Sequence, residues 1–174
     1  MNIEAIAAVE SCDYHFTVTT PQIRIEKIFI SPGHNFFGRH GKSAGGNPAL
    51  EVSRVECIAG KGLVGDRFFN FKENYKGQVT FFSAEIFEDI CRQFGLSEKS
   101  PGVTRRNIIT RGVDLNSLIG NGFEIQGVGF LGISECAPCY WMDDAIAPGA
   151  EMALRGRGGL RAKILSDGIL RAEA

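Results

Sequence analysis

The 174-residue sequence predicts a mainly β, barrel-like domain with a few short helices. Three observations point there. Glycine occurs 22 times against six prolines, scattered without a collagen-like period, so turns are frequent. The apolar runs are short, rich in Ile, Val and Phe, and separated by glycine-rich loops. Only one stretch has a sustained helical period. The length fits one domain with a core large enough to need no staples. Residues 1–22 are expected to be an N-terminal extension and 23–174 the domain, with no internal repeat and no linker.

Ile23–Ile30 is expected to be the first strand; its alternation shifts phase at Lys27, as in a bulge or a strand buried on both faces. Ser31–Pro48 is loop-like, Leu50–Ile58 a second strand, and Ala59–Arg67 another glycine-rich loop. Gln78–Phe82 is a short strand leading into the one clear helix. That helix has Ser83 as N-cap, Glu85 in its first turn, an apolar face of Ile86, Phe87, Ile90 and Phe94, and Gly95 as its stop. Asn107–Thr110 is extended, and Asp114–Ile119 is a short helical turn. Phe123–Gln126 and Val128–Ser134 are strands entered through Gly120-Asn-Gly122. Pro148–Leu154 forms a short helix and Leu160–Leu165 a strand. Asp167-Gly168 is a hairpin signal before a short last strand.

Composition narrows the function. Nineteen basic and 20 acidic residues rule out a globally basic nucleic-acid binder, leaving room for local basic patches. No apolar run is long enough to cross a membrane. Glu4 and Glu10 and the lack of a basic n-region argue against a signal peptide. The five cysteines are therefore expected to be reduced thiols in a cytoplasmic protein.

Three motifs imitate chemistry. Gly127-x-Gly129-x-x-Gly132 has dinucleotide spacing, but Phe130, Leu131 and Ile133 continue a strand where that motif needs a helix start. Gly41-Lys42-Ser43 lacks the leading glycine of a phosphate loop, since Phe36 stands there. Cys136-x-x-Cys139 has no second pair to complete a zinc site and follows a strand in a β-rich chain, unlike a thioredoxin-type dithiol.

Three groups and one thiol remain as candidates. His34–His40 mixes imidazoles, an amide, aromatics and an arginine; it is either a surface loop anchored by Phe36 and Phe37 or a functional loop. Gly65-Asp66-Arg67 and Thr104-Arg105-Arg106-Asn107 are either solvated edges or arginine forks for an oxyanion. Arg155–Lys163 carries four basic residues, no acidic one, and glycines that free backbone N–H groups for an anion. Cys139, beside Tyr140, Trp141, Asp143 and Asp144, is either an inert packed thiol or a soft ligand and sulfur acceptor.

Several segments, in order, resemble the MOSC domain, the C-terminal domain of molybdenum cofactor sulfurases. They are Gly33–Gly38, Gly62–Arg67, Gly102–Ile108, Gly112–Gly120, Cys136–Cys139 and Gly158–Leu165. The resemblance implies a barrel-like fold similar to the small domain of pyruvate kinase and a role around molybdenum cofactor (molybdopterin). By the same likeness Cys139 is the molybdenum ligand, and Arg105 and Asn107 meet the anionic pterin and phosphate; the role of Arg106 is left open, since some relatives have proline there. Arg67, Arg157, Gly158, Gly159 and Arg161 would neutralise phosphate, with His34 and Asn35 at the rim. The chain resembles a small stand-alone member, without a sulfurase or electron-transfer domain. The expected reaction is reduction of N-hydroxylated small molecules, with electrons from a separate protein. The alternatives are a non-enzymatic sulfur carrier using a Cys139 persulfide fed by a sulfur-donor protein, and a structural β-domain. No nucleic-acid or membrane partner is expected.

Overall fold

The computed structural model describes residues 23–35 and 45–173. Residues 1–22, and with them the proposed extension, lie outside that range, as do Phe36, Phe37, Arg39 and His40. Ten strands form two sheets: β1 Arg24–Ile30, β2 Leu50–Val52, β3 Arg54–Ile58, β4 Gly62–Leu63, β5 Val79–Ser83, β6 Ile108–Arg111, β7 Gly122–Ile125, β8 Val128–Glu135, β9 Leu160–Ile164 and β10 Gly168–Arg171. The larger sheet runs β2-β1-β6-β5-β9-β8-β7, and the smaller runs β10-β3-β4. The domain is mainly β, as expected. In its hydrogen bonding the larger sheet is open, with β2 and β7 as edges, rather than a closed cylinder.

Both faces of the central strands are buried, which explains their imperfect alternation. Ile28, Phe81 and Ile108 point into a core enclosed with the smaller sheet, while their neighbours Phe29, Phe82 and Ile109 face a second core under the helices. The phase shift at Lys27 is a bulge: the β1–β6 register slips between Ile25 and Lys27. Helix α1, Ala84–Gln93, connects the parallel pair β5 and β6. Ser83 caps it, its Oγ accepting the Ile86 N–H at 3.1 Å.

Three expectations need correction. The strand expected at 50–58 breaks at Ser53, and its two halves, β2 and β3, lie in different sheets. Gly62–Leu63, expected as loop, pairs with β3 as β4. Asp167-Gly168 does not form a hairpin with β9; β10 pairs with β3, and Asp167 Oδ1 accepts the Ala59 N–H at 2.7 Å. Two elements were not foreseen, the 3-10 turn Pro101–Thr104 and the five-residue helix α2, Trp141–Ala145. Both are too short to show a period. The expected turns at 115–118 (3-10) and 150–153 (helix α3, Ala150–Ala153) are present. Among the described residues no helix is long and apolar enough to cross a membrane.

Candidate functional site

The site is built around the turn before β6. Ser100 caps the 3-10 turn by accepting the Gly102 N–H, and Thr104 Oγ1 donates to the Pro101 carbonyl at 2.7 Å. Gly102 is required because a Cβ there would lie 2.8 Å from the Phe29 ring. The turn ends at Arg105 in the left-handed conformation, φ 61°. This reversal separates three consecutive side chains. Arg105 lies over the Trp141 ring, 5.4 Å from its centroid, whereas Arg106 and Asn107 turn inward and are buried.

Arg106 is a clamp. Its guanidinium donates to the carbonyls of Thr104 (2.7 Å), Cys136 (2.7 Å) and Gly158 (2.9 and 3.1 Å), all backbone groups. It thereby ties the Cys136–Cys139 segment and the glycine loop to the turn. Asn107 is equally committed: Nδ2 donates to Phe29 O and Asp66 Oδ2, both at 3.1 Å, and Oδ1 accepts from Thr80 N–H and Oγ1. Asp66 in turn accepts the N–H groups of Ser31 and Phe68 and faces Arg67 at 3.5 Å.

Arg67, with its side chain 7% exposed, lies over the Phe68 ring, and its Nε has no hydrogen-bond partner among the described residues. Burial pulls its pKa down, partly offset by Asp66. The Arg105 guanidinium is pulled down to about 10, first by burial and then by the charge of Arg67, with the Cys139 thiol acting the other way. Three guanidinium groups thus crowd one carboxylate, Asp66. Such a cluster favours an added anion.

Cys139 is half-buried, and its carbonyl accepts the Met142 N–H at the start of α2. Cys136 is buried, and its N–H donates to Gly159 O at 2.7 Å. Cys136 and Cys139 are both free thiols, in a segment without regular secondary structure. Among the described residues no cluster of three or more His, Cys, Asp or Glu forms a metal site. Cys139 lies near Arg105, and Trp141, two positions on, covers that guanidinium.

The remaining predicted residues lie in separate places. Asn35 lines a cavity of about 360 Å3 together with Arg105, Trp141, Phe29, Ser31 and Val103. His34 packs edge-on against Phe68, at 5.2 Å between centroids, within an aromatic group completed by Phe71 and Tyr75. Arg161, on β9, has its guanidinium near Gly77, as does the Tyr75 ring. Arg157 is turned to the helices, donating to Asp89 Oδ2 at 2.8 Å and to Ala153 O at 2.9 Å. Gly158 and Gly159 serve close approach: a Cβ at Gly158 would lie 2.6 Å from Cys136 O, and one at Gly159, φ 102°, 2.3 Å from Phe81 O. Sequence reading notes Trp141 beside Cys139 but gives it no role, although it is the chain's single tryptophan.

The fold and site define a two-sheet β domain carrying a buried arginine cluster beside a half-buried thiol. The chain belongs to the MOSC domain family, whose model matches residues 34–173. Among solved structures it is similar to the YuaD protein from Bacillus subtilis, at 17% identity and TM-score 0.65 over 86% of this chain and 91% of that one. It is also similar to YiiM from Geobacillus stearothermophilus, at 14% identity and TM-score 0.64 over 87% and 72%. YiiM from Escherichia coli matches at 17% identity and TM-score 0.57 over 87% and 67%. At these identities the structures show a shared fold. No curated protein matches.

Proposed function

We propose that this chain holds molybdenum cofactor beside Arg105, with the Cys139 thiolate as the protein ligand to molybdenum, and reduces N-hydroxylated small molecules. The MOSC family is associated with molybdenum cofactor binding. The observation that carries the reading is the crowding of Arg67, Arg105 and Arg106 around one carboxylate, close to Cys139, with Arg67 Nε left without a partner among the described residues. The residues fit an anionic, sulfur-liganded group: three guanidinium groups gather near Asp66, and a thiolate is a soft ligand. Arg67 and Arg105 would hold the anionic part and Cys139 the metal. When bound, the cofactor supplies two-electron redox chemistry. The overall change takes two electrons and two protons, breaks the N–O bond and releases water, with the electrons coming from a separate donor protein. Arg106 and Asn107 act behind these groups, fixing the turn and the cysteine segment.

The test is the molybdenum and pterin content of the purified chain, produced in cells rich in the cofactor, beside Cys139→Ser. Near-stoichiometric molybdenum with pterin, with molybdenum lost in the variant, is the expected result. Neither species in the wild type would sink stable cofactor binding. Persulfide labelling of Cys139 would then separate a sulfur carrier from a structural domain.

A further inference from the structure

Helix α2 is too short to hold itself. It has five residues, and a helix of that length is unstable alone. The last carbonyls of any helix have no partner within it. Here two of them, Ala145 O and Ile146 O, accept from Lys99 Nζ at 2.7 and 2.9 Å. Lys99 stands 46 positions before Ala145 and just ahead of Ser100, the cap of the 3-10 turn. A cation at helix C-terminal carbonyls also has the favourable sign for the helix dipole. The same stretch, 99–105, meets α2 twice more. Val103 O accepts the Trp141 Nε1–H at 2.9 Å, and Arg105 lies over the Trp141 ring. The stretch therefore runs along α2 from its end to its start, with Lys99 at the far end and Arg105 at the near end, close to Cys139. The Lys99 stem is itself walled in: it lines a groove of about 290 Å3 with Phe87, Leu96 and Pro101. An alkyl stem packed on apolar groups fixes the direction of its ammonium.

We infer that Lys99 is a positioning residue for the candidate site: by tying the end of α2 to the stretch that carries Arg105, it keeps Trp141 over that guanidinium and sets the exposure of Cys139. The inference takes the site from the proposed function, but no bound group enters it. Lys99 holds the end of α2, and the Trp141–Val103 bond holds its start. With the Lys99 tie cut, α2 swings about the Trp141–Val103 bond, and the ring and the thiol move together.

Trp141 is the chain's single tryptophan, so intrinsic fluorescence reports on this one ring. The experiment uses the cofactor-free full chain, well below its melting temperature. It measures Trp141 emission and acrylamide quenching, and the rate at which iodoacetamide labels Cys139, read at that peptide by mass spectrometry. Lys99→Met keeps the stem and removes the ammonium. It is expected to shift the emission to the red, increase quenching and speed Cys139 labelling by about threefold or more, since hydrogen bonds from charged donors are among the stronger ones. Lys99→Arg keeps the charge and the donors and should restore wild-type values. Ser83→Ala, which weakens α1 instead, should move neither readout. Unchanged fluorescence and labelling in Lys99→Met would overturn the inference. So would an equal change in Ser83→Ala, or a Lys99→Arg chain that behaves like Lys99→Met. If Lys99→Met does not melt cooperatively, the shorter and uncharged Lys99→Gln takes its place; it should lie between Lys99→Met and the wild type, and wild-type behaviour would overturn the inference. Molybdenum and pterin enter none of these readouts, so the cofactor reading fails or stands separately.

Discussion

Arg105 combines two costs at one position. Its φ of 61° is a region sparsely used by non-glycine residues. Its guanidinium is half-buried next to other arginines, which pulls its pKa down to about 10. A group that binds its proton less tightly in the folded chain opposes folding while charged. Arg105→Asn keeps a residue that tolerates the left-handed region and removes the charge. The cofactor-free variant is expected to melt at or above the wild-type temperature, while cofactor retention falls. Thermal melting and metal analysis on the same preparations check both halves; a lower melting temperature would show that Arg105 serves stability instead. Arg106, its neighbour, predicts the opposite behaviour. Arg106→Met leaves four hydrogen bonds to buried carbonyls unmade. The loss is expected to be about 3 kcal/mol or more, read from denaturant unfolding.

At the scale of elements, α1 shows how much local chemistry governs. Its cap, its first-turn Glu85 and its buried Phe87 and Ile90 all lie within a dozen residues, so the sequence alone predicts it. Ser83 Oγ accepts the Ile86 N–H and donates to Glu85 Oε2. Ser83→Ala is therefore expected to cost about 1 kcal/mol, seen as a lower denaturant midpoint at unchanged slope. The elements that sequence reading misplaced are those whose partners are remote. β3 and β10 find each other across more than a hundred residues of chain, and β4 is only two residues long. Helix α2 has no side-chain cap; it is held by Lys99 Nζ donating to Ala145 and Ile146 carbonyls and by Trp141 Nε1 donating to Val103 O. None of these contacts leaves a local pattern.

For the whole molecule, acid sensitivity follows from two carboxylates that tie neighbouring elements together. Glu26 on β1 is hydrogen-bonded by Arg111 of β6, and this holds its pKa below the usual carboxylate range, with Arg24 helping. Burial alone would raise Glu85, but the Ser83 hydroxyl and the Gly112 N–H outweigh it and lower the pKa. Both groups are more acidic folded than unfolded. Their contribution is complete above the ordinary carboxylate range and is lost as pH falls through the depressed values. Melting temperature is expected to fall on going from about pH 5 to about pH 3, and Glu26→Gln should flatten that fall. An equal slope in the variant would remove Glu26 from the account.

Sequence by itself determined the β-rich class, the capped helix, the phase shift at Lys27 and the ordered motifs that resemble the MOSC domain. Each rests on near neighbours along the chain or on a spacing pattern, which is where local propensity and periodicity act. Tertiary structure alone decided what each basic residue does. Arg105, Arg106 and Arg157 look alike in sequence, yet one lies over Trp141 at the cavity, one clamps three backbone segments, and one pairs with Asp89 on α1. A guanidinium's role is set by which carbonyls, carboxylates and rings surround it. Those groups come from strands and turns far apart in the chain, brought together only when both cores close.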